Sequence, residues 1–319
     1  MESAMETPKG CCAPQGAGLA LPAPALAARA SDDLKAAISG QMVPLKGGFF
    51  DMGAALGRYP DDMDSPPRRV HLSPFRIGRT TVTNRLFRQF ATESGYRTTA
   101  EVEGWSYVFH LFLADLRAWP DHPLQTPWWR KVDGAYWAAP EGPGSDTRDR
   151  EDHPATHLSW FDGQALADFT DTRLPTEAEW EFAARGGLKG KRFPWGNDLV
   201  PAAGHRHNTW QGVFPGRNSA EDGFVGTCPA DHYAPNGYGL HNMTGNVWEW
   251  VQDDFGPLPL GKGLPPRDPV RSGDGQHKVI RGGSYLCHVS YCERYQVHSR
   301  THNTPDSTTG HCGLRLAAR

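Results

Sequence analysis

Glycine (36) and proline (27) together make up about a fifth of this 319-residue chain, and that excludes a fold built from long regular elements. Glycine weakens helix and strand interiors, and proline removes a backbone donor. The elements between them must be short and the loops many. The 11 tryptophans then have to supply much of the core, buried or lining a groove. With 38% hydrophobic and 22% charged residues the chain is globular, as one large domain or two ordinary ones. A net charge of −3 gives no basis for a nucleic acid or anionic membrane as partner, and no apolar run is long enough to span a bilayer.

Six cysteines (Cys11, Cys12, Cys228, Cys287, Cys292, Cys312) are too few for a disulfide scaffold at this length. Two of them stand five apart in the stretch from Val279 to Cys292. There a β-branched strand, Val279-Ile280, runs into Gly282-Gly283-Ser284, so the thiols are presented on a bend. Such a pair can bind a soft metal, form a redox disulfide or supply a nucleophile. Cys228 and Cys312 stand apart from it, as buried thiols or as a pair. His288, His298, His302 and His311 lie close by in sequence, but none has the spacing of a helical ligand pair, so loop histidines are expected.

Along the chain, residues 1–40 read as a flexible Ala/Pro/Gly leader with a short helix at Asp32–Ile38, and residues 41–319 as the folded domain. Gly16 to Ala30 is apolar, yet Glu2 and Glu6 flank Lys9 and prolines interrupt the run. That is a poor export signal, and a cytoplasmic protein is expected. Met42–Gly53 reads as a hairpin around Gly47-Gly48, and Val70–Ile77 as a strand. Thr83 caps a helix ending at Gly95, with Val82, Leu86, Phe87 and Phe90 on one face. Roughly sixty Trp- and Pro-rich residues without periodicity follow. Ser159 opens a helix to about Phe169, and Thr176 with Glu179 forms a capping box for a helix ending at Gly186. Glu177, Glu179 and Glu181 read as a solvated helix start favoured by the dipole. Beyond Phe193 the chain is mostly loops, with Asn, Asp and Gly clustered near 208–224 and 236–249. Oxygens on such bends suit Ca²⁺, and the same residues form ordinary turns.

Several blocks together resemble one family, the formylglycine-generating enzymes or sulfatase-modifying factors. They are Pro44–Gly53, Thr81–Phe90, Arg173–Gly187, Asn208–Gln211, Gly237–Trp250 and Arg281–Arg315. The most specific is Gly282-Gly283-Ser284-Tyr285-Leu286-Cys287-His288-Val289-Ser290-Tyr291-Cys292-Glu293-Arg294-Tyr295, followed by Ser299–Ser307. The resemblance implies a single compact α+β domain of complex topology, similar to C-type lectins, low in regular secondary structure and stabilised by calcium. One Ca²⁺ would take the Asn208 and Asp222 side chains with the Thr209 and Phe224 carbonyls. A second would take Asn242 and Glu249 with the carbonyls of Gly245 and Val247.

The same resemblance implies a copper-dependent oxidase. It would convert the cysteine of a sulfatase Cys-x-Pro-x-Arg motif to Cα-formylglycine with molecular oxygen and a thiol reductant. Its partner would be an unfolded sulfatase polypeptide, and the enzyme is expected to be a monomer. Cys287 and Cys292 would hold Cu(I). Ser284 and Tyr291 would orient the substrate thiol and oxygen species, Trp248 would wall the oxygen pocket, and Arg300 and Asn303 would position the substrate backbone. Ordinary packing is the competing reading for the last three. Two other functions stay open, a non-catalytic calcium-binding paralogue and an iron-dependent sulfoxide synthase of the same superfamily. The leader adds one feature, Cys12-Ala13-Pro14-Gln15-Gly16, which starts like the substrate motif but has Gly16 where arginine belongs. It reads as a weak pseudo-substrate, a thiol or copper shuttle, or a tail with adventitious cysteines.

Overall fold

A computed structural model describes residues 14–16, 29–261 and 263–319. Cys11 and Cys12 lie outside them. Helix α1 (Asp32–Gly40) starts at Ser31, whose hydroxyl accepts the Leu34 amide, and buries Leu34 and Ile38 in the main core. The packed domain therefore begins upstream of residue 41.

Strands β1 (Met42–Leu45) and β2 (Gly48–Met52) do not pair with each other, contrary to the hairpin expected at Gly47-Gly48. Instead β2 pairs with β3 (Arg68–Leu72) and β1 with β4 (Phe75–Gly78), both antiparallel. Met42 faces Gly78 and Met52 faces Arg68 in one continuous register, so 42–52 and 68–78 form a single interrupted ribbon. Gly47 has φ 67°, and a Cβ there would fall on the Leu72 carbonyl. Gly47 serves close backbone approach across the ribbon, not a reversal of the chain.

Helix α2 (Asn84–Ser94) runs from the Thr83 cap to Gly95, with Leu86, Phe87 and Phe90 buried. The stretch read as irregular holds α3 (Thr99–Glu103) and an antiparallel pair, β5 (Trp105–Phe109) and β6 (Trp129–Asp133). Helices α4 (Trp160–Phe169) and α5 (Glu177–Arg185) carry the capping boxes Ser159/Asp162 and Thr176/Glu179. After the short ribbon β7 (Gly212–Val213) and β8 (Arg217–Asn218) comes β9 (Trp248–Asp254), the longest strand. It lies between β10 (Lys278–Arg281) and β12 (Cys312–Leu314), with β11 (Arg300–Asn303) outside β10. Only β12 runs parallel to its neighbour in that sheet. The terminal strand β13 (Ala317–Ala318) adds to β4.

Tryptophan N–H groups fasten helices to β9. Trp250 donates to the Leu158 carbonyl at 2.9 Å, Trp160 to the Val251 carbonyl at 2.9 Å, and Trp180 to Glu249 at 2.7 Å. The α5 carboxylates are not solvated. Glu177 and Glu181 are buried and ion-paired, Glu177 with Arg300 and Glu181 with Arg185 and Arg281. Glu179 is buried against Arg173 at 2.6 Å. Burial would push the Glu181 carboxyl up, but Arg185, Arg281 and the Gly53 amide hold it below its ordinary value. Among the described residues, no helix is long and apolar enough to cross a membrane.

Candidate active site

Strand β10 delivers the thiols. It ends at Arg281, whose guanidinium is buried on Glu181 at 2.6 Å, and the chain then turns through Gly282 (φ 96°) and Gly283 (φ 74°). A Cβ on Gly283 would press on the Tyr295 backbone at 3.0 Å, so this close turn requires glycine. In the bend that follows, the sulfurs of Cys287 and Cys292 face each other at 3.6 Å, both buried. That is contact distance, well beyond the ~2.05 Å of a disulfide.

The bend is pinned from several sides. The Ser284 amide donates to the Cys287 sulfur at 3.3 Å, and the Cys292 amide to the His288 carbonyl at 2.8 Å. The Cys287 carbonyl accepts the Trp210 amide at 3.1 Å. Arg294 brings a guanidinium to 3.8 Å from the Cys292 sulfur, while Asp62 takes two of its donors at 2.6 and 3.0 Å. A cation beside a sulfur favours its thiolate form, the form that binds metals. Two apposed, buried soft sulfurs fit a soft ion such as Cu(I).

Trp248 is fully buried in the same apolar cluster as both thiols, its indole N–H without a hydrogen-bond partner. Tyr291 is half-buried, its ring stacked on Phe214 at 4.5 Å and edge-on to Trp128 at 4.9 Å. Ser284 is fully buried, its hydroxyl 3.4 Å from His311 Nδ1. Burial, helped by nearby His157, lowers the His311 pKa to about 3, so the ring is neutral at physiological pH. His311, expected with His288, His298 and His302 to be a loop histidine, is instead fully buried. It reaches Ser284 because β12 pairs with β9, a non-local contact that no spacing reveals.

Arg300 is not in a position to hold substrate. It is fully buried, its Nε and one terminal nitrogen each 2.6 Å from Glu177 and its other terminal nitrogen on the Gly256 and Asp62 carbonyls. Its role is to join β11 to α5. Asn303, at the end of β11, is likewise buried. Its Nδ2 donates to the carbonyl of Pro14 at 3.0 Å and to the Ser307 hydroxyl at 2.9 Å.

The oxygen-rich loops converge beneath the thiol bend. Asp222 accepts the Thr209 and Phe224 amides at 3.0 and 3.1 Å, which gathers all four residues of the first calcium constellation except Asn208 around one carboxylate. Asn208 adjoins them in the chain, and its buried Oδ1 has no hydrogen-bond partner, nor does that of Asn242. Two orphaned amide oxygens are what a hard cation would satisfy. Glu249 is more committed, accepting Arg315 at 2.9 and 3.0 Å and Trp180 at 2.7 Å. That leaves about one of its roughly four acceptor positions, and no hydrogen bond joins it to Asn242, Gly245 or Val247 among the described residues. Asn246 links the loops to the bend. Its amide donates to the Asn208 carbonyl at 2.8 Å, and its carbonyl accepts the Tyr285 amide at 3.0 Å. Cys228 lies among these asparagines, its thiol pushed up to about 12 by burial.

Comparison with known proteins identifies the family. Residues 29–319 match the family model described as the sulfatase-modifying factor enzyme 1-like domain. A formylglycine-generating enzyme from Thermomonospora curvata is 50% identical over 286 residues, covering 87% of this chain and 93% of its own length. A Bos taurus protein named inactive Cα-formylglycine-generating enzyme 2 is 42% identical over 284 residues, 87% of each chain. Among solved structures, PvdO from Pseudomonas aeruginosa shares the fold with a TM-score of 0.64 at 23% identity, covering 87% of this chain and 94% of that one. A mixed α/β domain of short elements, a full-length family match and half-identity to such a relative lead to one conclusion: the chain belongs to the formylglycine-generating, sulfatase-modifying-factor family.

Proposed function

We propose that this protein oxidises the cysteine of a Cys-x-Pro-x-Arg segment in a sulfatase polypeptide to Cα-formylglycine. The observation that carries the reading is the apposition of Cys287 and Cys292 at 3.6 Å. Overall, R–CH₂–SH with O₂, two electrons from a thiol reductant and two protons gives R–CHO, hydrogen sulfide and water. Cu(I) held by the two sulfurs would supply the activation of oxygen.

The chain's own groups do the rest. Ser284 fixes Cys287 through its amide and presents a hydroxyl whose other neighbour is a neutral imidazole, so a proton can be held between Ser284 and His311. Tyr291, beside Cys292 in the bend, packs against Phe214 and Trp128, and this aromatic surface would limit water near the sulfurs.

Calcium at the Asn208/Asp222 loop, and at Asn242/Glu249, would be structural, satisfying the orphaned oxygens in a fold of C-type-lectin-like complexity. A cytoplasmic setting suits the buried, apposed thiols.

Mass spectrometry tests the activity. A Cys-x-Pro-x-Arg peptide incubated with the protein, Cu(I), reductant and air should exchange sulfur for oxygen and lose two hydrogens at its cysteine. An unmodified peptide under these conditions would overturn the reading in favour of the non-catalytic paralogue or the sulfoxide synthase.

A further inference from the structure

Both members of the thiol pair lie beneath the surface, Cys287 0% and Cys292 1% exposed. A cysteine on another polypeptide cannot touch either sulfur until something moves. The β7–β8 hairpin packs on both flanks of the thiol bend through Phe214 at its tip. The Phe214 ring stacks on Tyr291, the neighbour of Cys292, at 4.5 Å and 7°. It also meets Trp210 at 5.2 Å, and the Trp210 amide donates to the Cys287 carbonyl at 3.1 Å. The same ring packs against the cluster that holds Tyr285 and Leu286, the two residues before Cys287. The other side of the hairpin faces solvent, with Val213 62% exposed and Gly212, Gly216 and Arg217 exposed beside it.

We infer that the β7–β8 hairpin is a lid over the thiol pair, latched by His110, that lifts to admit a cysteine-bearing polypeptide. This rests on the reading that a protein cysteine reacts at these sulfurs. The tip is lightly held. Among the described residues, one hydrogen bond ties residues 212–217 to the fold beyond their own ribbon, from His110 Nε2 to the Pro215 carbonyl at 3.0 Å. The two strands have two residues each, and an isolated ribbon is marginally stable at best in water. The Ser219 amide closes its base on the Gln211 carbonyl at 2.9 Å, so the tip can swing as a unit about that point. What else holds it is ring contact, of Phe214 with Tyr291, Trp210 and Trp128. Segments with so few buried ties open at low free energy, and lids over reactive sites are drawn from them.

Alkylation of the full-length protein by iodoacetamide, without added metal and resolved by mass spectrometry of each cysteine, decides it. A synthetic peptide of residues 284–292 gives the unprotected rate, and Cys312, buried in β12, reports any opening of the whole domain. Cys287 and Cys292 should react far more slowly in the wild type than in the peptide. His110→Ala removes the latch and should speed both about two- to tenfold, the worth of one hydrogen bond. Phe214→Ala removes the ring contacts and should speed them about ten- to a hundredfold. Cys312 should keep its wild-type rate in both variants. The lid is refuted if the wild-type pair reacts at the peptide rate, if neither variant speeds it, or if Cys312 accelerates in step. Peptide oxidation is not read here, so a refuted lid leaves the proposed activity standing. An inactive protein whose thiols follow the expected pattern would keep the lid and lose the activity.

Discussion

Arg300 forms a two-point ion pair with Glu177, Nε to one carboxylate oxygen and a terminal nitrogen to the other, each at 2.6 Å, with both side chains buried. The pair joins the outer strand of the main sheet to the first turn of α5. Removing one partner leaves an uncompensated charge in the interior. Arg300→Ala is therefore expected to cost about 3–5 kcal/mol of stability in urea unfolding. A folded variant of wild-type stability whose only defect was a raised KM would return Arg300 to the substrate cleft.

Cys287→Ser and Cys292→Ser should each abolish tight Cu(I) binding, by more than the roughly hundredfold typical of losing an outer-sphere partner. Serine is neither soft nor ionised at neutral pH. Competition against a Cu(I) chelator measures this directly. Wild-type affinity in either single variant would refute a two-sulfur site.

Calcium removal should lower the melting temperature by several degrees, a shift corresponding to about 1–3 kcal/mol for a domain of this size. Added Ca²⁺ should restore it, and Mg²⁺ should do so poorly because it dehydrates reluctantly. Asp222→Asn should already melt low and respond little to chelation. An Asp222→Asn protein that behaves like the wild type in both respects would remove the ion from that loop.

His157 and His311 are buried and neutral, each with a pKa lowered by burial to about 3. The unfolded chain protonates these rings near pH 6.5 and the folded one does not, so stability is lost as pH falls through that value toward 3. At pH 5 each contributes about 2 kcal/mol of destabilisation relative to pH 7.5. Burial raises Asp64 to about 6 and Asp253 to about 7, and these carboxyls act in the opposite direction over part of the range. The informative quantity is therefore a difference between proteins. His157→Gln should show a shallower loss than the wild type between pH 7.5 and 5 in urea titrations, and parallel curves would count against a neutral buried ring.

What sequence reading could reach was local. Thr83, Ser159 and Thr176 announce their helices because a cap is an interaction over three residues, and Gly95 and Gly186 end two of them in the left-handed conformation. The cysteine pair was legible for the same reason. Non-local contacts were not. The glycines at 47–48 have the composition of a hairpin turn, yet their strands find partners at 68–78. Glu177 and Glu181 have the pattern of a solvated helix start, and only the fold brings Arg281 and Arg300 to them. His311 and Ser307 carry no local signal that separates them from ordinary loop residues. Arg300 and Asn303 were assigned to substrate by resemblance alone, and both are buried in the structure, Arg300 on Glu177 and Asn303 on Ser307 and the Pro14 carbonyl.

The position of Asn246 has a thermodynamic consequence. One residue hydrogen-bonds the Asn208 loop through its amide and the thiol bend through its carbonyl. If the proposed calcium orders the first loop, this bridge would pass part of that order to the second, and any such coupling would be reciprocal. With both metals bound as proposed, whatever factor calcium applied to the affinity for copper, copper would apply to the affinity for calcium. The two metals would then be a single heterotropic system, and a titration of either one has a defined meaning only at a stated concentration of the other.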